Sequence, residues 1–408
     1  MARGGFTVEI FEQETELGGI WAYTAETDDD PTGLAPTNRA YSSVYDSLRT
    51  NLPRDIMAYL DYTFDSAGGG DDSWARFPHH SCVLEYLEHF ATDFGLHHLI
   101  TFGVTVTRVA PLAGDGWELT SQDCDGKTSV RRFDAVMVCN GHYARPRVPS
   151  LPGIEAFKGH ILHSHNYRSP DAFKDQRVAL WGTSASGADI SLEISRVAAD
   201  VSWCGNAFST NPPGREVRPG IRGYPSPTGI DNEGRLIFED FAPVEVDTLM
   251  FCTGYRYDFP FLDNSIVTVD NNHVHPLYQE LVPPDWPTLV FIGIPYLIVP
   301  FPLFEMQARW FCALLNEEFS LPSPAAMHLG ITRDEKTKAD AGVLQRHFHK
   351  LGEAQTGYYN LLARQCGRPA LPSWFGEIAN AAQKARLTNP AGFRDSTFPA
   401  PGPTRVQK

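Results

Sequence analysis

The sequence predicts an α/β fold in which one dinucleotide-binding unit is inserted into another, and three observations lead there. First, Val178 to Trp181 is a short apolar run followed at once by Gly182-Thr183-Ser184-Ala185-Ser186-Gly187 and the helix-forming ADISLEIS. A strand, a tight small-residue turn and a helix start aim free backbone N–H groups and the positive end of a helix dipole at one point, where a pyrophosphate can sit. Second, two buried-strand strings of the form D-x-ϕ-ϕ-ϕ-C-x-G, Asp134–Gly141 and Asp247–Gly254, flank that unit and mark the two crossings between domains. Third, Thr7 to Phe11 alternates as a strand and ends in Glu12, where a Rossmann-like unit keeps an acid for an adenosine ribose. Each signal has a plainer reading. Small residues at a strand-to-helix turn also serve packing alone, and a lone acid at a strand end is also simply solvated.

The chain has 408 residues, which exceeds one ordinary core and predicts two or three domains. Its net charge of -15 argues against a nucleic-acid partner and against an anionic membrane surface, both of which would repel it. The seven cysteines are scattered without a C-x-x-C pair, as expected of reduced thiols in a cytoplasmic protein. The longest apolar run, Leu289 to Phe304, is broken by Pro295, Pro300 and Pro302, so no membrane span is expected.

In chain order, Gly18-Gly19-Ile20-Trp21 follows the first strand after a short acidic loop, and Tyr45 to Pro53 leads into a short helix carrying Met57. Ser81 to Phe94 carries apolar residues at helical spacing and predicts an amphipathic packing helix. His79, His80, His89, His97 and His98 lack cysteines or carboxylates at ligand spacing, so no metal is expected. Ile100 to Leu119 reads as two or more strands, and Phe133 to Cys139 as a buried parallel strand. The proline-rich ARPRVPSLPGI that follows is a domain boundary by composition. Val201 to Trp203 is a strand, Asn211 to Pro227 is turn-dense, and Ile230 to Phe238 is a hairpin around DNEG. Leu289 to Gly293 is another parallel-type strand and Phe304 to Leu315 a helix; the last two dozen residues, rich in proline, are expected to be disordered.

The string F-x-G-x-x-x-H-x-x-x-Y at Phe157, Gly159, His163 and Tyr167 stands immediately before the glycine turn. With GGIW, SLRTNLP, CNGHYARP, GTSASGADIS and FCTGYRYDFPFL in register, the chain resembles the flavin-containing monooxygenases over nearly its whole length, most closely their plant and fungal S-oxygenating branch. The resemblance implies two cofactors, FAD and NADPH. NADPH reduces the flavin, O₂ adds at flavin C4a to give a hydroperoxide, and a nucleophilic sulfur or nitrogen of a small molecule takes the distal oxygen. It implies a role for Asn51 beside C4a as the catalytic amide, and FAD contacts for Glu12, Gly18, Gly19 and Trp21. Gly182, Ser184, Ser186 and Gly187 fall on the NADPH pyrophosphate loop, and Gly141 and Gly254, the glycines of the two matched strands, are carried over as cofactor-binding. The implied domains are an FAD domain over 1–148 and 246–384, an inserted NADPH domain over 149–245, and the tail 385–408, with a homodimer as the oligomeric option.

Two departures accompany the resemblance. A Rossmann unit opens with a strand, glycine turn and helix of roughly 30 residues before its acid, and only six residues precede Thr7. The first strand and glycine loop of the FAD domain are therefore expected to be missing, and a truncated, FAD-free and inactive NADP(H)-binding or interaction protein, or an incomplete gene model, is the alternative. The second departure lies after Trp203, where the family keeps an arginine for the NADPH 2′-phosphate. Here Cys204, Gly205 and Asn206 follow, leaving Arg215 or Arg218 as substitutes. A flavin disulfide reductase would need a closely spaced redox cysteine pair, which the sequence lacks.

Overall fold

In the computed structural model, which describes residues 2–210, 212–399 and 402, the chain opens on β1 (Ile10–Phe11), shorter than the Thr7–Phe11 expected. Its parallel partner β2 (Ile100–Thr101) is itself two residues long, so Thr7 to Glu9 alternate without a recorded strand partner. Between them lie α1 (Arg54–Met57) and the amphipathic α2 (His80–Asp93), as the apolar spacing predicts. An antiparallel meander follows: β3 (Val104–Pro111), β4 (Trp117–Asp123) and β5 (Thr128–Phe133). The string Asp134–Gly141 then supplies β6 (Val136–Val138).

The central unit contributes β7 (His160–His163), β8 (Arg177–Trp181), α3 (Ala185–Ile194) and β9 (Asp200–Cys204). After β9, the turn-dense stretch folds into β10 (Arg215–Arg218) and β11 (Ile221–Tyr224); Asn211 lies outside the described residues. β12 (Gly229–Ile230) and β13 (Leu236–Phe238) form the expected DNEG hairpin, extended by β14 (Phe241–Val244). β15 (Thr248–Phe251) ends this run.

Sheet membership separates the two matched strands. β15 is hydrogen-bonded on both sides, to β7 and β8, in a six-stranded sheet of order β10-β11-β9-β8-β15-β7. All its residues are buried. This sheet thus includes Thr248–Phe251, whereas β6 pairs in parallel with β18 (Leu289–Phe291) in a separate two-stranded sheet. The hairpin β16 (Thr268–Asp270) and β17 (His273–His275) lies between these crossings.

The remainder is helical: α4 (Pro300–Leu315), α5 (Pro324–Asp340), α6 (Gln355–Gln365) and α7 (Ser373–Thr388). α4 begins four residues before the expected Phe304 because proline is at home in a first helical turn, where no N–H partner is needed. No helix among the described residues is long and apolar enough to cross a membrane. In the tail, residues 385–388 finish α7, and Phe393 and Phe398 are buried against Phe77 and Ala382. Residues 400, 401 and 403–408 lie outside the described residues.

Candidate functional site

The glycine turn sits where the six-stranded sheet changes direction. β8 is followed in sequence by β9 on one side, while β15 returns on the other, which makes the carboxyl ends of β8 and β15 a topological switch point. Gly182 leaves β8 at φ 136°, and a Cβ there would collide with the Cys252 carbonyl at the end of β15. Its N–H donates to Cys204 O (2.9 Å), and its carbonyl accepts from Trp203 Nε1 (2.9 Å). A Cβ on Gly187 would in turn run into the Gly182 carbonyl, so the first turn of α3 rests directly on the bend. Ser184 holds the N-cap in extended conformation and its side chain makes no capping bond, which leaves the orphan N–H groups of α3 to another acceptor. Ser186 lies within the first turn of α3.

Past β9, Gly205 follows Cys204, and a Cβ there would meet Thr183. Arg218 lies over the Trp203 ring at 4.4 Å and donates to Ala188 O on α3 (2.6 Å), so its guanidinium is engaged within the protein. Arg215, opposite Gly223 and hence level with Trp203, is exposed near the carboxyl end of β9.

The F-x-G-x-x-x-H-x-x-x-Y string has a packing reason at each named position. Phe157 packs in the core on the β12–β14 side of the sheet, and a side chain on Gly159 would strike the Asp247 carbonyl. His163 is fully buried, its Nδ1 accepting from His165 N (3.1 Å), while burial and the neighbouring His165 push its ring down to about 3. Tyr167 is 1% exposed and donates to Glu193 on α3 (2.7 Å). The adjacent Arg168 donates to the carbonyls of Thr24, Glu26 and Ser42, pinning the stretch after Trp21 onto this string.

Gly141 (φ 68°) and Gly254 (φ 82°) turn out of β6 and β15 with no atom within 4 Å of a notional Cβ, so their backbones face open space. Cys139 is reachable by solvent yet so flanked by protein that dehydration raises its thiol to about 12. Tyr255 stands edge-on to His163 (5.2 Å) and Tyr143 (5.5 Å). Two buried polar atoms nearby, Asp28 Oδ2 and His165 Nδ1, have no hydrogen-bond partner, and burial pushes His142 down to about 4. Partnerless buried polar atoms cost roughly 1–3 kcal/mol each and point to a ligand or water.

At the N-terminal side, Glu12 ends β1 and its carboxylate accepts from Glu14 N (2.9 Å). Gly18 takes φ 125° because a Cβ would collide with Leu84, and Gly19 starts the short helix that carries Trp21 toward α2. Asn51 lies on the loop before α1. Its preceding residue is held by Thr50 N to Pro78 O (2.9 Å) and by Arg394 Nε to Thr50 O (2.9 Å). Arg394 also pairs with Asp189 of α3 (2.7 Å), so a C-terminal residue ties the Asn51 loop to the glycine-turn helix.

Residues 4–209 and 229–376 match the family described as flavin-binding monooxygenase-like. The chain belongs to that family. Among curated relatives it is 39% identical to flavin-containing monooxygenase FMO GS-OX-like 3 of Arabidopsis thaliana over 97% of this chain and 90% of the relative. FMO GS-OX5 of the same plant is 40% identical over 97% of this chain and 87% of that protein. Among solved structures, S-allyl-L-cysteine S-oxygenase from Allium sativum superposes with a TM-score of 0.92 at 40% identity, over 97% of this chain and 91% of that one. Cyclohexanone monooxygenase, at 14% identity and a TM-score of 0.59, shares the fold alone.

This flavin monooxygenase is accordingly an oxidoreductase of the plant-type S-oxygenating branch that uses FAD and NADPH. The residues fit both groups. Gly182 and Gly187 form a cradle that a Cβ would fill, Gly141 and Gly254 face open space, and Asp28 and His165 keep orphaned polar atoms. Sequence reasoning missed Arg394, Tyr255, His165 and Asp28. His165 and Tyr255 stood inside recognised strings without being singled out, and nothing local marks the other two.

Proposed function

We propose that this monooxygenase inserts one oxygen atom of O₂ into a nucleophilic sulfur of a small molecule, or into a nitrogen of similar softness. The likeness to S-allyl-L-cysteine S-oxygenase along 97% of the chain carries the reading. The balance is fixed by chemistry: the sulfide gains one oxygen atom, the other leaves as water, and NADPH with one proton supplies the two electrons and two hydrogens. Bound flavin, once reduced, supplies activated oxygen at C4a.

The chain's own residues do the rest. Gly182, Ser184, Ser186 and Gly187 receive the NADPH pyrophosphate on α3, and Arg215 takes the 2′-phosphate, since Arg218 is engaged by Trp203 and Ala188. Glu12, Gly18, Gly19, Trp21, Gly141 and Gly254 line the FAD side. Asn51 would offer an amide donor to the oxygen being transferred, and the neutral His163 and His142, largely buried, would exclude water without adding charge. Retention of water-reactive oxygen depends on that exclusion of solvent. The scattered thiols suit a cytoplasmic setting.

The test supplies the purified chain with FAD, NADPH, a dialkyl sulfide and ¹⁸O₂. We expect retained flavin absorbance, bleaching by NADPH and a sulfoxide carrying one ¹⁸O atom. No retained flavin would remove the FAD site from this chain; retained flavin that yields only hydrogen peroxide with sulfide and tertiary amine alike would remove the substrate class.

A further inference from the structure

The β16–β17 hairpin turns at Asn271 and Asn272, both left-handed at φ 43° and 62°. It presents His273 and His275 two residues apart on one strand and therefore on one face. Glu335 of α5 closes that face. Its Oε1 lies 3.3 Å from His273 Nε2 and 2.7 Å from His275 Nδ1, and one ligand atom from each residue falls within 4.8 Å of the others. The group opens into a cleft of about 430 Å³ that Asp270 and Gln345 also line.

We propose that His273, His275 and Glu335 form a binding site for a borderline divalent metal ion of the zinc class. Two imidazoles and one carboxylate are the donor set that such ions prefer over calcium or magnesium, which take oxygen ligands. Donors about 2.0–2.2 Å from a tetrahedral ion stand roughly 3.3 Å apart, so the His273–Glu335 spacing serves as it is and His275 needs a small rotation. The surroundings hold the ligands in place. Val274 N, between the two histidines, donates to His349 Nε2 (2.8 Å), and His349 Nδ1 donates in turn to Glu280. Asp270, paired across the hairpin with His273, accepts from Gln345 (3.3 Å) and stands at the open side of the site. A bound ion would staple the hairpin to α5.

Isothermal titration of zinc sulfate into chelator-treated full-length protein tests this, with His275→Gln and Glu335→Gln beside it. We expect one saturable equivalent, an affinity weakened by about a hundred-fold in either variant, and no response to calcium. Cobalt(II) at the same site should give visible ligand-field bands that His275→Gln abolishes. His275 is 43% exposed, so that variant keeps the fold, which its melting curve in chelator checks. Absence of saturable uptake, or uptake undiminished in both variants, overturns the site and reduces the cluster to hydrogen-bonded His–Glu pairs.

Discussion

Asn51 and Gly187 allow single-atom arguments. If the Asn51 amide donates beside the reacting oxygen, Asn51→Ser shortens the donor's reach without touching the NADPH cradle. Flavin reduction should persist while hydrogen peroxide replaces product; stopped-flow bleaching and peroxide yield check both halves, and collapse of reduction itself would refute the role. Gly187→Val acts differently. Its Cβ must displace the Gly182 carbonyl, which already accepts from Trp203, so α3 moves off the bend. The KM for NADPH should rise by about ten-fold or more, whereas an unchanged KM would take the turn out of the site. His163 makes a pH statement. Its folded value, near 3, lies below that of an ordinary histidine, so the unfolded chain binds more protons between about pH 6.5 and 3. Stability is full above that window and falls through it, by roughly 2 kcal/mol at pH 5. Urea unfolding at pH 7 and 5 should show the loss, and His163→Gln should reduce the slope.

At the scale of elements, Arg394 links two that are far apart in sequence. Its guanidinium is 16% exposed and bonds Asp189 on α3 as well as the carbonyls of Arg49 and Thr50. Charged hydrogen bonds at such a site contribute roughly 1.5–3 kcal/mol, and removal of the arginine leaves Asp189 without that partner. Arg394→Ala should destabilise by about that amount. Combination with Asp189→Ala should cost less than the sum of the single changes, a coupling measured by a double-mutant cycle. The sequence showed the elements themselves where local chemistry dictates them: the Gly182 bend, the DNEG hairpin and the α2 stripe each specify their own conformation. It did not show which sheet receives Thr248–Phe251. Asp134–Gly141 and Asp247–Gly254 carry the same local pattern, but β6 finds its parallel partner in β18 and β15 finds two in β7 and β8. That choice depends on distant partners, which a local pattern does not encode. Arg394 was hidden for the same reason: prolines after it suggested a tail, while its anchors lie more than two hundred residues upstream.

For the whole molecule, this places the C-terminal segment among the parts that hold the two units together. Phe393 and Phe398 bury against Phe77, which is fully buried, with ring separations of 5.4 and 5.3 Å. Arg76 donates to Phe398 O (3.0 Å) and pairs with Asp55 of α1 (2.6 Å), so the segment also reaches the helix that follows the Asn51 loop. Deletion after Thr388 removes these aromatic rings and the Arg394 links at once, while the six-stranded sheet and its glycine turn keep their own core. Loss of a buried phenylalanine alone costs about 3–5 kcal/mol. The shortened chain should therefore melt lower by on the order of 5 °C or more. It should also bind NADPH with affinity close to that of the full chain but oxidise it with a larger share of hydrogen peroxide, because the Asn51 loop is no longer tied to α3. Calorimetry, NADPH titration and peroxide yield separate the outcomes. An unchanged melting point would show that the segment does not brace the fold, and an unchanged peroxide share that it does not position the loop.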